Sequence, residues 1–138
     1  MSGMAKRFAT AHLDELPAVE QVFDGAWRPV RQRFGIDAFG VNAWVGKHPL
    51  DRLLEEHDEL PNGTDGHQEL YFVARGHARF LIDGEEVDAP AGTFVAIVDP
   101  AVVRTAFAKA PDTAILAVGA APGKPFEVSN WERRHLGA

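Results

Sequence analysis

Apolar and polar residues alternate in short runs along the middle of the chain, and turn residues separate the runs. Residues 69–74 hold Leu70, Tyr71, Phe72 and Val73, and Arg75-Gly76 closes them. Residues 78–82 form a second run. Asp83-Gly84 follows it and suits a two-residue hairpin, because both central positions of a type I′ turn need positive φ. Pro90-Ala91-Gly92 predicts another turn, and residues 93–98 another strand. Upstream, Phe39, Val41, Ala43 and Val45 alternate with Gly40, Asn42 and Trp44, which predicts a strand over 38–45. Residues 53–59 and 113–119 complete the set. Short strands at this spacing predict an all-β barrel or sandwich.

The two ends read differently. Leu16, Val19, Val22 and Phe23 recur at helical spacing and predict a helix over 13–23, with Asp14 as its cap and Pro17 in its first turn. Trp27-Arg28-Pro29 breaks that pattern. Residues 30–34 predict a short helix closed by Gly35. Residues 1–12 carry no clear pattern and leave room for an edge strand. Residues 47–49 read as a turn, 60–66 and 122–125 as loops, and 131–135 as a short helix. The expected organisation is an N-terminal extension over 1–37, partly helical, a barrel over 38–121 and a tail over 122–138. We find no internal repeat and no linker between domains.

Composition narrows the classes. A chain of 138 residues with 46% hydrophobic content is enough for one domain with its own core. There is no Cys, so neither a disulfide framework nor a thiolate metal site is available. A formal charge of −6 argues against a nucleic-acid partner. The N-terminal residues show no long apolar run, so the expectation is a soluble cytoplasmic protein without a membrane span. Asn62-Gly63-Thr64 matches a glycosylation sequon but reads as plain loop in that setting.

The central stretch resembles the cupin family. The first cupin motif closes with a Glu, six residues and a Gly, and Glu69 and Gly76 stand at that spacing. The second opens Pro-x-Gly ahead of a strand and a turn, as Pro90-Ala91-Gly92 does. The order strand, Gly, strand, Asp-Gly, strand, Pro-x-Gly, strand carries the match over roughly residues 40–120. The resemblance implies a small jelly-roll barrel, a double-stranded β-helix, in a usually dimeric protein.

Acids crowd the first half of this region: Asp51, Glu55, Glu56, Asp58, Glu59, Asp65 and Glu69, with Arg52 alone opposing them locally. Glu55, Glu56, Asp58 and Asp65 read as a solvated face. By strand alternation His57 and Glu59 share a face, as do His67 and Glu69. The resemblance sets His57-Asp58-Glu59 where the family has His-x-His, with Glu59 replacing the second His. It then implies that His57, Glu59, His67 and Glu69 line one pocket, a donor set suited to zinc, manganese, iron or nickel. His67 reads equally as a residue at a loop end.

The family's last His lies eleven residues beyond the Gly of Pro-x-Gly, which here falls on Val103. Aligning Asp99-Pro100-Ala101-Val102-Val103-Arg104 with the family's Pro-Pro-Gly-x-x-His puts Arg104 there instead. Inside the barrel Arg104 would pair with Glu69 or hold a substrate carboxylate; in the other register it is a surface residue. Two carboxylates in one pocket need a metal, an Arg or a shared proton between them. Tyr71 and Val73 share the Glu69 face and should line the cavity. Leu70 and Phe72 face outward, toward sheet packing or a dimer partner. Trp27 and Trp44 read as core or interface residues.

Two function classes follow. One is a binding or sensing module holding a small polar ligand at Glu69, Tyr71, Arg104 and His57, without a cofactor. The other is a metal-dependent cupin enzyme, a dioxygenase, isomerase or decarboxylase, using a divalent transition metal. The depleted His set favours the first, as a homodimer.

Overall fold

The computed structural model describes residues 7–19, 25–60 and 66–136. The elements after a 3-10 turn at Leu13–Glu15 run β1 (Ala26–Arg28), α1 (Val30–Phe34), β2 (Gly40–Gly46), β3 (Arg52–His57), β4 (Gln68–Arg75), β5 (His77–Ile82), β6 (Glu85–Pro90), β7 (Phe94–Ile97), β8 (Arg104–Ala108), β9 (Thr113–Ala120) and α2 (Asn130–Leu136). The strands form two antiparallel sheets, one ordered β1-β2-β9-β4-β7 and the other β3-β8-β5-β6. This is the all-β fold that the turn spacing predicts, in the jelly-roll-like form that the resemblance implies.

The core lies between the sheets, where alternation sends one set of side chains inward. On β4, Tyr71 and Val73 are buried, whereas Leu70 is 41% exposed. Phe80 of β5, Ala106 of β8 and Ile115 and Ala117 of β9 meet them. Burying a side chain of this size stabilises by about 1.5–3 kcal/mol, so a one-residue slip of β4 would forfeit several such terms. Register is therefore fixed by burial. It sets Glu69 opposite Gly119 of β9 and Ile97 of β7.

Turn chemistry fixes the connections. Asp83 and Gly84 hold φ of 49° and 82°, as a type I′ turn requires. The Asp83 carboxylate accepts from Val103 N at 2.9 Å and ties this hairpin to the start of β8. Gly76, between β4 and β5, has φ of 75°, and a Cβ there would stand 2.5 Å from Thr113 Oγ1. Only glycine fits both restrictions.

The N-terminal segment departs from its periodicity. Leu13–Glu15 is a single 3-10 turn capped by His12 rather than Asp14, and Leu16 is already extended, with ψ of 136°. Pro17 explains this, since the residue before a proline is pushed out of the α region. Val19 then pairs with Trp27 in an isolated bridge. Trp27 and Arg28, the first two residues of the expected break, belong to β1, which pairs with β2. The rest of the expected helix, and the sequon loop, lie outside the described residues. No strand forms among residues 7–12.

The short helix after β1 forms over Val30–Phe34 and ends on Gly35 at φ of 69°. It packs on β2. Arg31 donates through Nε to Glu132 of α2 at 3.0 Å, and again through Nη2 to the same oxygen. Trp131 of α2 stacks on Trp27, with centroids 4.4 Å apart. The tail thus folds back onto the first strands. No helix among the described residues is long and apolar enough to cross a membrane.

Candidate functional site

Glu69 enters the site because it shares an inward parity with Tyr71. Its Oε1 accepts from Arg104 Nη1 at 2.7 Å and also from the Tyr71 hydroxyl. Space for it comes from Gly119, where a Cβ would lie 3.0 Å from Glu69 Cγ. Arg104 opens β8 and is 0% exposed. Its Nε donates to Val102 O at 3.0 Å, and Nη2 has no hydrogen-bond partner among the described residues. Of the two registers considered for the last motif, Arg104 is therefore the inward residue. The half-buried Val103 instead exchanges backbone and side-chain hydrogen bonds with Asp83.

His57 arrives from the other sheet. The β3–β8 pairing is irregular, with register shifts on either side of Leu54, and Leu53 and Leu54 are both buried in succession. Such bulges re-aim side chains. His57 Nδ1 donates to Glu55 O at 2.7 Å, and Nε2 stands 3.0 Å from Glu59 Oε2. With an acceptor at each nitrogen, the ring is suited to hold both protons. Burial works against that charge. The Glu59 hydrogen bond, the Glu55 carbonyl and the charges of Glu59 and Glu69 outweigh it and raise the His57 pKa.

Glu59 lies just beyond β3. Its backbone N donates to Pro100 O at 2.8 Å, and its carbonyl accepts from His67 N at 3.3 Å. The His67 ring is close by, with Nδ1 3.7 Å from Glu59 Oε1 and its face 5.4 Å from the Phe126 ring. Burial, and then the Glu59 charge, push Glu69 upward, against the Tyr71 hydrogen bond and the charges of His57 and Arg104. Burial and the adjacent Glu69 carboxylate raise Tyr71 well above the ordinary phenol value, so it stays a donor.

These groups stand on a cavity of about 300 Å³, within the range of small-molecule sites. His57, Glu59, His67 and Glu69 all line it, but Tyr71 and Arg104 lie behind Glu69 rather than on the wall. Sequence reasoning missed Asn42, Phe126 and Trp131 on the cavity wall; Trp44 is the core residue expected and lines the cavity as well. One signal was present: aromatic residues in a tail with no strand of its own need a surface to bury against.

No family model matches the chain, and no curated protein matches it. Solved structures do. A cupin protein from Bacteroides fragilis superposes with a TM-score of 0.57 at 16% identity, over 91% of this chain and 93% of that one. A sugar phosphate isomerase from a cupin superfamily, from Silicibacter pomeroyi, gives 0.62 at 17% identity over 83% and 77%. A structure described as a predicted oxalate decarboxylase, from Thermotoga maritima, gives 0.58 at 15% identity over 80% and 97%. The chain has the cupin fold.

Whether this cupin barrel suits a metal is a question of its donors. His57, Glu59 and Glu69 each offer an atom, all within 4.8 Å of one another, which is close enough for one divalent cation. His67 stands outside that group of three. The position where the resemblance places the last His carries Arg104, which cannot ligate and brings a positive charge to the Glu69 oxygen. Burial opposes the Arg104 charge, but Tyr71 and the Glu69 and Glu59 carboxylates outweigh it and raise its pKa. Two carboxylates thus face the Arg104 guanidinium and a His57 ring with an acceptor at each nitrogen, so the set is built to balance its own charge. Three donors fit a cation in geometry; within this inner set the charge does not call for a metal ion, while Glu55, Glu56 and Asp58 on the same cavity lie outside that balance.

Proposed function

We propose that this chain is a binding module that holds a small polar ligand in the cupin barrel, with pocket charge balanced by Arg104 and His57. The supporting observation is the wholly buried Arg104 guanidinium, 2.7 Å from Glu69. Charge-assisted bonds of this kind are stronger than neutral ones and pre-organise the groups they join. Tyr71 and Arg104 then act from behind, holding the Glu69 carboxylate in place for a ligand at its outer oxygen. Elemental analysis of purified protein, followed by titration with zinc and manganese, tests the reading. Substoichiometric metal and weak metal binding are expected; a stoichiometric transition metal lost on His57→Ala would overturn it.

A second reading is a metal-dependent dioxygenase, isomerase or decarboxylase. It is supported by the three donors within 4.8 Å, which could hold a divalent ion supplying Lewis-acid or redox chemistry.

We further propose a homodimer. Leu70 and Phe94, 41% and 64% exposed, sit on the outward face of β4 and β7, and the Phe72 and Phe94 rings pack 4.6 Å apart. β7 is an edge strand. An apolar face at a sheet edge is a surface that proteins commonly cover.

A further inference from the structure

Two acceptor atoms of residues on the cavity wall are unpaired. Asn42 Oδ1 and His67 Nε2 are buried without a partner among the described residues, and both residues line the cavity. His67 is only 8% exposed. The Glu59 carboxylate stands 3.7 Å from its Nδ1, which leaves Nε2 as the unpaired ring nitrogen. His57 spends both nitrogens on Glu55 and Glu59. A buried acceptor left unpaired costs free energy, which a ligand N–H would recover.

Charge points the same way. Glu55, Glu56 and Asp58 stand exposed at the cavity mouth with no cationic partner among the described residues. Arg134 is the one Lys or Arg on the wall. A cleft lined by one sign of charge concentrates ligands of the other. Three aromatic residues, Trp44, Phe126 and Trp131, also line the cavity. Aromatic faces attract organic cations and accept hydrocarbon, whereas a bare metal ion has no use for them and a carboxylate would be repelled by the acids.

We propose that the cavity binds a small organic amine with more than one N–H or O–H donor. Its ammonium faces Glu59, the outer Glu69 oxygen and the unpaired acids at the mouth, further donors meet Asn42 Oδ1 or His67 Nε2, and its carbon skeleton lies against the aromatic wall. This rests on the binding-module reading above. A stoichiometric resident metal overturns that reading, whereas a metal-free protein that prefers anions leaves it standing and overturns only the amine.

The test is titration of the metal-free protein with putrescine and ethanolamine, set against acetate, oxalate and myo-inositol, at millimolar concentrations. Trp44 and Trp131 report through indole fluorescence and nitrogen-15 spectra. The amines are expected to perturb the indoles and to bind at least roughly tenfold more tightly than the anions and the neutral polyol, with affinity falling as salt rises. Glu59→Gln should weaken amine binding by roughly tenfold, and Glu85→Gln, on the outer hairpin, should not. Asn42→Leu, which changes no charge, should also weaken it and serves if Glu59→Gln fails to fold. Equal or tighter binding of acetate, oxalate or inositol overturns the proposal. So does silence from both amines, or an equal loss on Glu85→Gln.

Discussion

Arg104 and Tyr71 converge on one oxygen of Glu69, so a carboxylate from one sheet is gripped by a guanidinium from the other. Breaking a buried pair leaves an uncompensated charge, which costs about 3–5 kcal/mol. Arg104→Ala should therefore lower stability by about that much in urea denaturation, and pairing it with Glu69→Gln should recover part of the loss. An Arg104→Ala protein as stable as the parent would mean that Glu69 does not depend on this contact.

The same cluster sets a pH dependence. Folding raises His57 above its ordinary 6.5 and Glu69 above 4.5. Each raised group contributes stability that is complete below its ordinary value and is lost as pH rises through the folded one. Unfolding free energy should thus fall as pH climbs from 6.5, through the His57 titration. His57→Gln should flatten that slope. Urea melts across this range that show stability rising with pH would contradict the assignment.

Gly76 is restricted twice, by φ of 75° and by Thr113 Oγ1 at 2.5 Å from any Cβ. Gly76→Ala is expected to cost at least about 1–3 kcal/mol from backbone strain alone. Gly84 has a similar φ of 82° but open space, so Gly84→Ala should cost less. Comparing the two by thermal denaturation separates strain from collision; equal losses would show that Thr113 gives way freely.

The proposed dimer face is tested by charge. Phe94→Glu places a carboxylate on the 64% exposed position of the edge strand. Light scattering at micromolar concentration should move from dimer to monomer mass without loss of the fold. A parent protein that is already a monomer would remove the proposal.

The stretch from β4 to β7 was legible because its determinants are local. Asp83-Gly84 needs no distant partner to specify a hairpin, and Gly76 closes the strand that carries Glu69. Arg104 was legible only as one of two registers, since the deciding contact with Glu69 crosses between sheets. Over residues 13–19 the expected helix gives way to a 3-10 turn, because Leu16 and Val19 fit a helical spacing that Pro17 does not allow to continue. Asn42 was hidden by parity. Val41, Ala43 and Val45 look like the core face of β2, yet Gly40, Asn42 and Trp44 line the cavity, and α1 packs on β2. No local pattern announces that a strand will be covered on both faces.

Phe126 and Trp131 belong to a segment outside both sheets, fastened to the body by Glu132 on Arg31. The size of the cavity and the stability of the barrel are thus written in different residues. Substitutions at Phe126 or Trp131 can widen or narrow the chamber while every strand keeps its register. Ligand preference in this scaffold is free to drift along the tail, at Phe126 before Trp131, because Trp131 also packs on the buried Trp27.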